Sequence, residues 1–325
     1  MNLYLCGELD NAERALWAAE LRRALPNHRL CLARGELPDA LIDAAIVANP
    51  APGSLLGLPS LALIQSLWAG VDRLLADASL PPLVPIARMV DPAKNEAMAE
   101  TALWATLALH RGFFGYARQQ RAIAWLPHAQ RRADEVSVLV LGYGQMGQAV
   151  ARRLLQQGYA VTAWRRALAG PGAGVLPAAQ SVEVKPGPAL LAGVAALPAA
   201  LAQAQVLINL LPLTPETRGL INARLLAKLP RGAGLVNLAR GAHVVDADLL
   251  AALDSGQIGQ AVLDVFHAEP LPADHPFWRH ARVTVLPHVA AMTDARTAAA
   301  VVARNIEALA AGRPLQNLVA RNAGY

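Results

Sequence analysis

One junction near the middle of the chain limits what it can fold into. The run VSVLVL (136–141) is β-type, Gly142-Tyr143-Gly144-Gln145-Met146-Gly147 follows at once, and QAVARRLLQQ (148–157) reads as a helix. A G-x-G-x-x-G segment alone is a weak signal. Between a strand and a helix it marks a dinucleotide-binding turn. Gly142 permits the tight turn, Gly144 lets the backbone approach a pyrophosphate, and Gly147 lets the helix pack close to the strand. The free N–H groups where the helix opens, at Gln145 and Met146, then meet the phosphates.

The same alternation extends along the chain. Before the junction, strand-like runs fall at 2–6, 28–33, 44–48, 61–68 and 84–88. After it they fall at 159–164, 206–211, 234–239, 261–265 and 283–286, with helical stretches between most of them. Asp10 with Glu13 three residues later marks a helix start. Asn95 to about Arg111 is a long apolar helix candidate, and the tail from Asp294 to Ala311 places Val302, Ile306 and Leu309 on one face before Gly312 and Pro314 stop it. Strands alternating with helices imply an α/β fold with parallel sheets.

Composition removes several classes. Of the 325 residues 54% are hydrophobic, which makes a membrane reading worth testing. The longest charge-free run, Pro186–Pro215, is cut by Pro188, Pro198 and Pro212, and no piece reaches the ~20 residues of a spanning helix. The start, MNLYLCGELD, has no basic region before a long apolar stretch, so no signal peptide is expected. Cys6 and Cys31 sit in strand-like runs without CxxC spacing, which argues against zinc or redox motifs and for free thiols in a cytoplasmic protein. The net charge of +5 is mild and its arginines are scattered, without the basic block or aromatic motif of a nucleic-acid binder.

The end of the strand after the glycine turn selects the dinucleotide. NAD sites normally place an acid there, about 20 residues on, to hold the ribose 2′-hydroxyl. Here Arg165 and Arg166 stand eighteen and nineteen residues after Gly147. Two guanidiniums suit a 2′-phosphate, so NADP(H) is expected over NAD(H); a solvated arginine pair is the plainer alternative.

NLARG (237–241), LDVFHAEP (263–270), LPHVA (286–290) and VLINLLPLTPETRGLIN (206–222) resemble the signature segments of the D-isomer-specific 2-hydroxyacid dehydrogenase family, in its order and approximate spacing. LINLLP, TPET, HVV, DLLAALDSG and the terminal RNAGY are most similar to the bacterial glyoxylate/hydroxypyruvate reductase A subgroup, while residues 1–60 match weakly. The resemblance implies two doubly wound parallel-sheet domains, Rossmann- and flavodoxin-like, with an interdomain cleft. Residues 1–95 plus 288–325 would bind substrate, and 96–287 would bind the dinucleotide. It further implies a homodimer that reduces a small 2-keto acid such as glyoxylate or hydroxypyruvate.

Family roles carry over to matching positions. Arg240 would hold the substrate carboxylate and polarise the keto oxygen, its fork matching a planar carboxylate. His288 would donate a proton to that oxygen and accept one in reverse. Glu269 would orient the His288 ring, a nearby anion favouring imidazolium. His243 and His267 compete for the role of His288. Leu211, Pro212, Thr217, Ala239 and Asp264 would line the cofactor. Trp68, Ala69 and Gly70, in SLWAGVD, resemble the loop whose N–H groups bind the carboxylate, with Trp68 either limiting pocket size or serving as core. Arg88 closes a strand and faces either the cleft or solvent.

Three readings stay open. Trp104, Phe113, Phe114, Tyr116 and Trp125 crowd into a short span that suits a core or a dimer interface. The Gly/Pro/Ala-rich stretch 167–188 leaves the dinucleotide site directly and either covers the adenosine or hangs outside. Within the enzyme class the alternative is a reductase of bulkier 2-keto acids; outside it, a dinucleotide-sensing binding protein on the same fold.

Overall fold

The computed structural model describes residues 1–166 and 187–321. Most of the 167–188 stretch and the last four residues lie outside that range. In chain order the elements are β1 (Asn2–Gly7), α1 (Asn11–Ala24), β2 (Arg29–Cys31), β3 (Ala44–Ala48), β4 (Leu63–Ser66), α2 (Asp72–Leu75) and β5 (Ile86–Ala87). Then come α3 (Pro92–His110), α4 (Phe113–Arg121), β6 (Ser137–Leu141), α5 (Gln145–Gln156), β7 (Ala160–Arg165), β8 (Ala189–Ala192), α6 (Leu197–Gln203) and β9 (Val206–Asn209). The remainder are α7 (Ala223–Leu226), β10 (Ala233–Asn237), α8 (Asp246–Asp254), β11 (Ile258–Leu263), β12 (Val283–Val285) and α9 (Ala295–Ala310).

Two compact units form, Met1–Lys94 with Thr293–Tyr325, and Asn95–Met292. In this division His288 belongs to the second unit, together with the glycine turn. The first unit holds a five-stranded parallel sheet in the order β2-β1-β3-β4-β5. β3, Ala-Ala-Ile-Val-Ala, reads as a continuous apolar run because both faces are covered, and all five of its residues are buried. Leu3, Leu5 and Ile46 pack on one face with Val302 and Ile306 of α9, while Tyr4, Cys6 and Val47 pack on the other. At the start of α1, Asp10 accepts from the Glu13 N–H at 2.8 Å and Glu13 accepts from the Asp10 N–H at 3.2 Å, the reciprocal box read from the sequence.

The second unit holds a seven-stranded parallel sheet, β12-β11-β10-β9-β6-β7-β8. The order reverses at β6, so β6 and β9 flank the switch point where such sheets bind ligands beyond their carboxyl ends. Leu139, Leu207 and Leu235 fill one face, and Val138, Val140, Ile208 and Val236 the other.

Two elements differ from the sequence reading. β8 is an added edge strand whose ALLA has no β-branched residue to announce it. α4 forms through the aromatic span, where Phe and Tyr are indifferent helix formers and Gly115 is a poor one. Within that span Trp104 meets Phe114 edge-on and Tyr116 stacks on His128, yet Trp104, Phe113 and Trp125 remain exposed, Trp125 at 93%. Among the described residues no helix is long and apolar enough to cross a membrane.

Candidate active site

The carboxyl ends of β6, β9, β10, β11 and β12 carry most of the expected residues, and each is placed by local chemistry. At the end of β6, Gly142 has φ +97° and a Cβ there would stand 2.7 Å from the Leu210 carbonyl oxygen. A Cβ on Gly147 would stand 1.9 Å from the Gly142 carbonyl oxygen, so helix and turn approach as closely as backbone allows. A Cβ on Gly144 would meet nothing within 4 Å. That open space lies at the start of α5, where the N–H groups of Gln145, Met146 and Gly147 have no carbonyl behind them. A phosphate fits there on both counts, space and donors.

The end of β7 brings up Arg165 and Arg166. The Arg165 Nε is buried with no hydrogen-bond partner, and such an atom is costly unless something accepts from it. Arg166 Nη1 donates to Glu216 Oε2 at 2.9 Å. The unsatisfied Arg165 Nε suits an anionic group beside β7, while the Glu216 carboxylate already takes one Arg166 donor.

Beyond β9 and β10 lies a buried polar network that sequence reasoning missed. Asn209 Nδ2 donates to Asn237 Oδ1 and to His243 Nδ1, each at 3.0 Å. Asn209 Oδ1 accepts from the Leu211 N–H, and Asn237 Oδ1 from the Ala239 N–H. His243 Nε2 donates to the Pro212 carbonyl at 3.2 Å. Asn237 Nδ2 donates to the Arg240 carbonyl at 3.0 Å, which fixes the backbone from which Arg240 projects. The signal was present as a lone Asn ending each of two apolar strands, VLIN and AGLVN. His243 is fully buried with both ring nitrogens engaged, so it holds loops in place. His267 Nε2 donates to the Val244 carbonyl at 2.8 Å. Leu211 and Ala239 are buried, and Thr217 Oγ1 braces its own turn, donating to the Pro212 carbonyl at 2.7 Å.

Past the ends of β11 and β12 a histidine and a glutamate come together. His288 Nδ1 donates to Glu269 Oε2 at 2.7 Å, and Glu269 Oε1 accepts from the Phe266 N–H at 2.8 Å. His288 Nε2 makes no hydrogen bond to a described residue, and the side chain is 52% exposed. The His288 backbone is left-handed, φ +55°, an uncommon state for a non-glycine residue. Asp264 fixes it: its carboxylate is buried and accepts from the N–H groups of Val289 at 2.7 Å and Ala290 at 3.0 Å. Burial pushes the Asp264 carboxyl up against the pull of those two N–H groups and of His288, and the Glu269 charge adds to the rise. Burial opposes charge on Glu269 as well. The His288 and Phe266 hydrogen bonds, with the charges of His288 and Arg240, outweigh it and hold the carboxyl below its ordinary range. Glu269 is thus in electrostatic reach of both His288 and Arg240. A group with a fixed ring, an anion behind one nitrogen and the other nitrogen free is suited to proton transfer.

In the first unit, Ser66 Oγ accepts from the Trp68 N–H at 3.0 Å, and the Trp68 carbonyl accepts from the Met89 N–H at 3.0 Å. The N–H groups of Ala69 and Gly70 bond to no described residue. Trp68 is half-buried against the apolar core of that unit. The Arg88 N–H donates to the Asn317 carbonyl at 3.0 Å, and burial pushes its guanidinium down from its ordinary value.

A family model described as D-isomer specific 2-hydroxyacid dehydrogenase, NAD binding domain, matches residues 103–290, more than half of the chain. The chain belongs to the D-isomer specific 2-hydroxyacid dehydrogenase family. It is an oxidoreductase of that family, and solved structures agree along its full length. A family member from Xanthobacter autotrophicus Py2, in complex with NADPH and MES, is 38% identical, with 99% of each chain covered and a TM-score of 0.89. The NADPH-dependent glyoxylate/hydroxypyruvate reductase of Sinorhizobium meliloti, in complex with NADP and sulfate, is 33% identical, covering 100% of this chain and 99% of that one, TM-score 0.86. A probable 2-hydroxyacid dehydrogenase of Rhizobium etli, with NADP, HEPES and L(+)-tartaric acid, is 29% identical at TM-score 0.85, covering 100% and 99%.

Proposed function

We propose that this dehydrogenase uses NADPH to reduce a small 2-keto acid, glyoxylate to glycolate or hydroxypyruvate to glycerate. The observation that carries the reading is the His288–Glu269 pair, with Nε2 free and Arg240 in electrostatic reach, in the same unit as the glycine turn.

The dinucleotide would lie along the carboxyl ends of β6 and β7. Gly144, Gln145, Met146 and Gly147 take its pyrophosphate, Arg165 and Arg166 its 2′-phosphate, and Leu211, Pro212, Thr217, Ala239 and Asp264 line its path. Bound NADPH supplies the hydride for the keto carbon. Arg240 grips the substrate carboxylate and polarises the keto oxygen. His288 Nε2 gives its proton to that oxygen as negative charge develops, so carbonyl becomes alcohol with no free alkoxide. Glu269 accepts from His288 Nδ1 and holds the ring so that Nε2 keeps its aim. In the first unit, the two unbonded N–H groups at Ala69 and Gly70 are suited to an anionic oxygen, and Trp68 beside them favours a short substrate. The S. meliloti relative's name, together with the arginine pair in place of an acid after β7, supports NADPH and glyoxylate or hydroxypyruvate.

A homodimer is part of the reading. Trp104 on α3, Phe113 on α4 and Ile123, Trp125 and Leu126 in the segment after it are each exposed, and large apolar side chains left in solvent suit an interface. Free buried thiols at Cys6 and Cys31 accord with a cytoplasmic setting.

Initial rates measured by nicotinamide absorbance, with NADPH and NADH each offered glyoxylate, hydroxypyruvate, pyruvate and phenylpyruvate, test the reading. Fast NADPH-dependent reduction of the first two is expected. Preference for phenylpyruvate would replace the small-substrate reading, and no turnover by protein that binds NADPH would replace the enzyme reading with the sensor.

A further inference from the structure

The arginine pair after β7 is not the only charge at the adenosine end of the sheet. β7 and β9 lie on either side of β6, whose end carries the glycine turn. The Arg166–Glu216 contact joins the segment after β7 to the segment after β9, and so spans the strand end where the dinucleotide turn sits. Glu216 is held in place from its own side. The Thr214 hydroxyl donates to Glu216 Oε2 at 2.7 Å, the same oxygen that accepts from Arg166. The Thr214 N–H is tied to Thr217 Oγ1 at 2.8 Å. The Thr214 hydroxyl first, then the residue's own N–H and Arg166, hold the Glu216 carboxyl below the usual carboxylate range. It therefore stays anionic at any pH near neutrality.

The charge count at this end is then smaller than the sequence suggests. Arg165 and Arg166 offer two positive charges; Glu216 cancels one and occupies one Arg166 donor. Any second anion brought to the Arg166 guanidinium meets a carboxylate already there, in an exposed place where unit charges still interact over several ångströms.

We propose that Glu216 is a specificity-determining residue that weakens the hold on a 2′-phosphate, setting a ceiling on the preference for NADPH over NADH. This rests on the NADPH reading above. It makes TPET (214–217) more than a turn: the segment carries the counter-charge that keeps the phosphorylated cofactor exchangeable and leaves NADH usable.

Glu216→Gln is the test, because Gln keeps an oxygen for Thr214 and Arg166 and removes only the charge. Dissociation constants of NADPH and NADH are measured by calorimetry on the full chain, without substrate. The preference for NADPH should rise about fivefold, the order expected of one exposed unit charge, and the gain should shrink in high salt. In an Arg166→Ala background, Glu216→Gln should still raise the ratio, because the carboxylate held by Thr214 repels the 2′-phosphate with or without Arg166. An unchanged ratio makes the contact an ordinary surface ion pair, and a lower ratio makes Glu216 a support that positions Arg166; either overturns the inference. A wild-type ratio near one overturns the NADPH reading itself, a result the wild-type protein alone delivers.

Discussion

Two regions of the same seven-stranded sheet hold their charges differently. At β11 and β12 the Glu269 carboxylate is gripped on both oxygens, by His288 at 2.7 Å and the Phe266 N–H at 2.8 Å. The backbone carrying His288 is pinned in turn by buried Asp264. At β7 and β9 Arg166 and Glu216 are exposed and meet through one contact. The first arrangement fixes direction, as proton transfer requires, because a ring misaimed by an ångström loses most of its effect. The second tolerates rearrangement, as discrimination between two cofactors requires. On this account chemistry sits where the polypeptide is over-determined, and cofactor selectivity where it is not.

That contrast can be broken at its stronger end first. His288→Ala should lower turnover of glyoxylate or hydroxypyruvate at least ~100-fold, the low end for losing a general acid, with NADPH affinity nearly unchanged by calorimetry. Turnover near wild type would remove His288 from the mechanism. Glu269→Gln should cost about 10- to 150-fold in kcat/KM, matching roughly 1.5–3 kcal/mol for a hydrogen bond to a charged group; a loss confined to KM would point to substrate binding instead.

The weaker end answers through ratios. Arg166→Asp should move the NADPH/NADH preference toward NADH by about 10- to 150-fold on the same scale, leaving kcat with saturating NADH close to wild type. An unmoved ratio would make the arginine pair a solvated one.

The smallest effect is on stability. Glu269 is held below its ordinary range in the folded chain. Its contribution is therefore present above the unfolded value, about 4.3, and is lost as pH falls through the lower folded value. Wild-type melting temperature should drop more steeply than that of Glu269→Gln as pH falls from about 5 to 3. Parallel curves would show that the pair contributes nothing to folding.

Legibility in the sequence followed the same division. The glycine turn, most strands of both sheets and the capping box of α1 were readable because each rests on local chemistry: a positive φ at Gly142, uninterrupted apolar runs, an Asp three residues before a Glu. The residues of the triad were readable only by resemblance to a family, since one Arg, one Glu and one of eight histidines say little alone. What escaped was made by tertiary neighbours. Edge strand β8 follows a Gly/Pro-rich stretch and gains its form from pairing with β7. The Asn209–Asn237–His243 network joins residues up to 34 apart, and no local pattern reports that their side chains meet. Asp264 is expected from the sequence to line the cofactor; in the structure its carboxylate holds the His288 turn, which depends on β11 and β12 being neighbours.

The division of labour is tested most directly by combining changes in the two regions in one protein. In His288→Ala/Arg166→Asp, the NADPH/NADH affinity ratio should equal that of Arg166→Asp alone, and the residual turnover with saturating NADH should equal that of His288→Ala alone, as independent sites require. A ratio that depends on residue 288, or a turnover that depends on residue 166 at saturation, would show that the two regions act as one site and contradict the account.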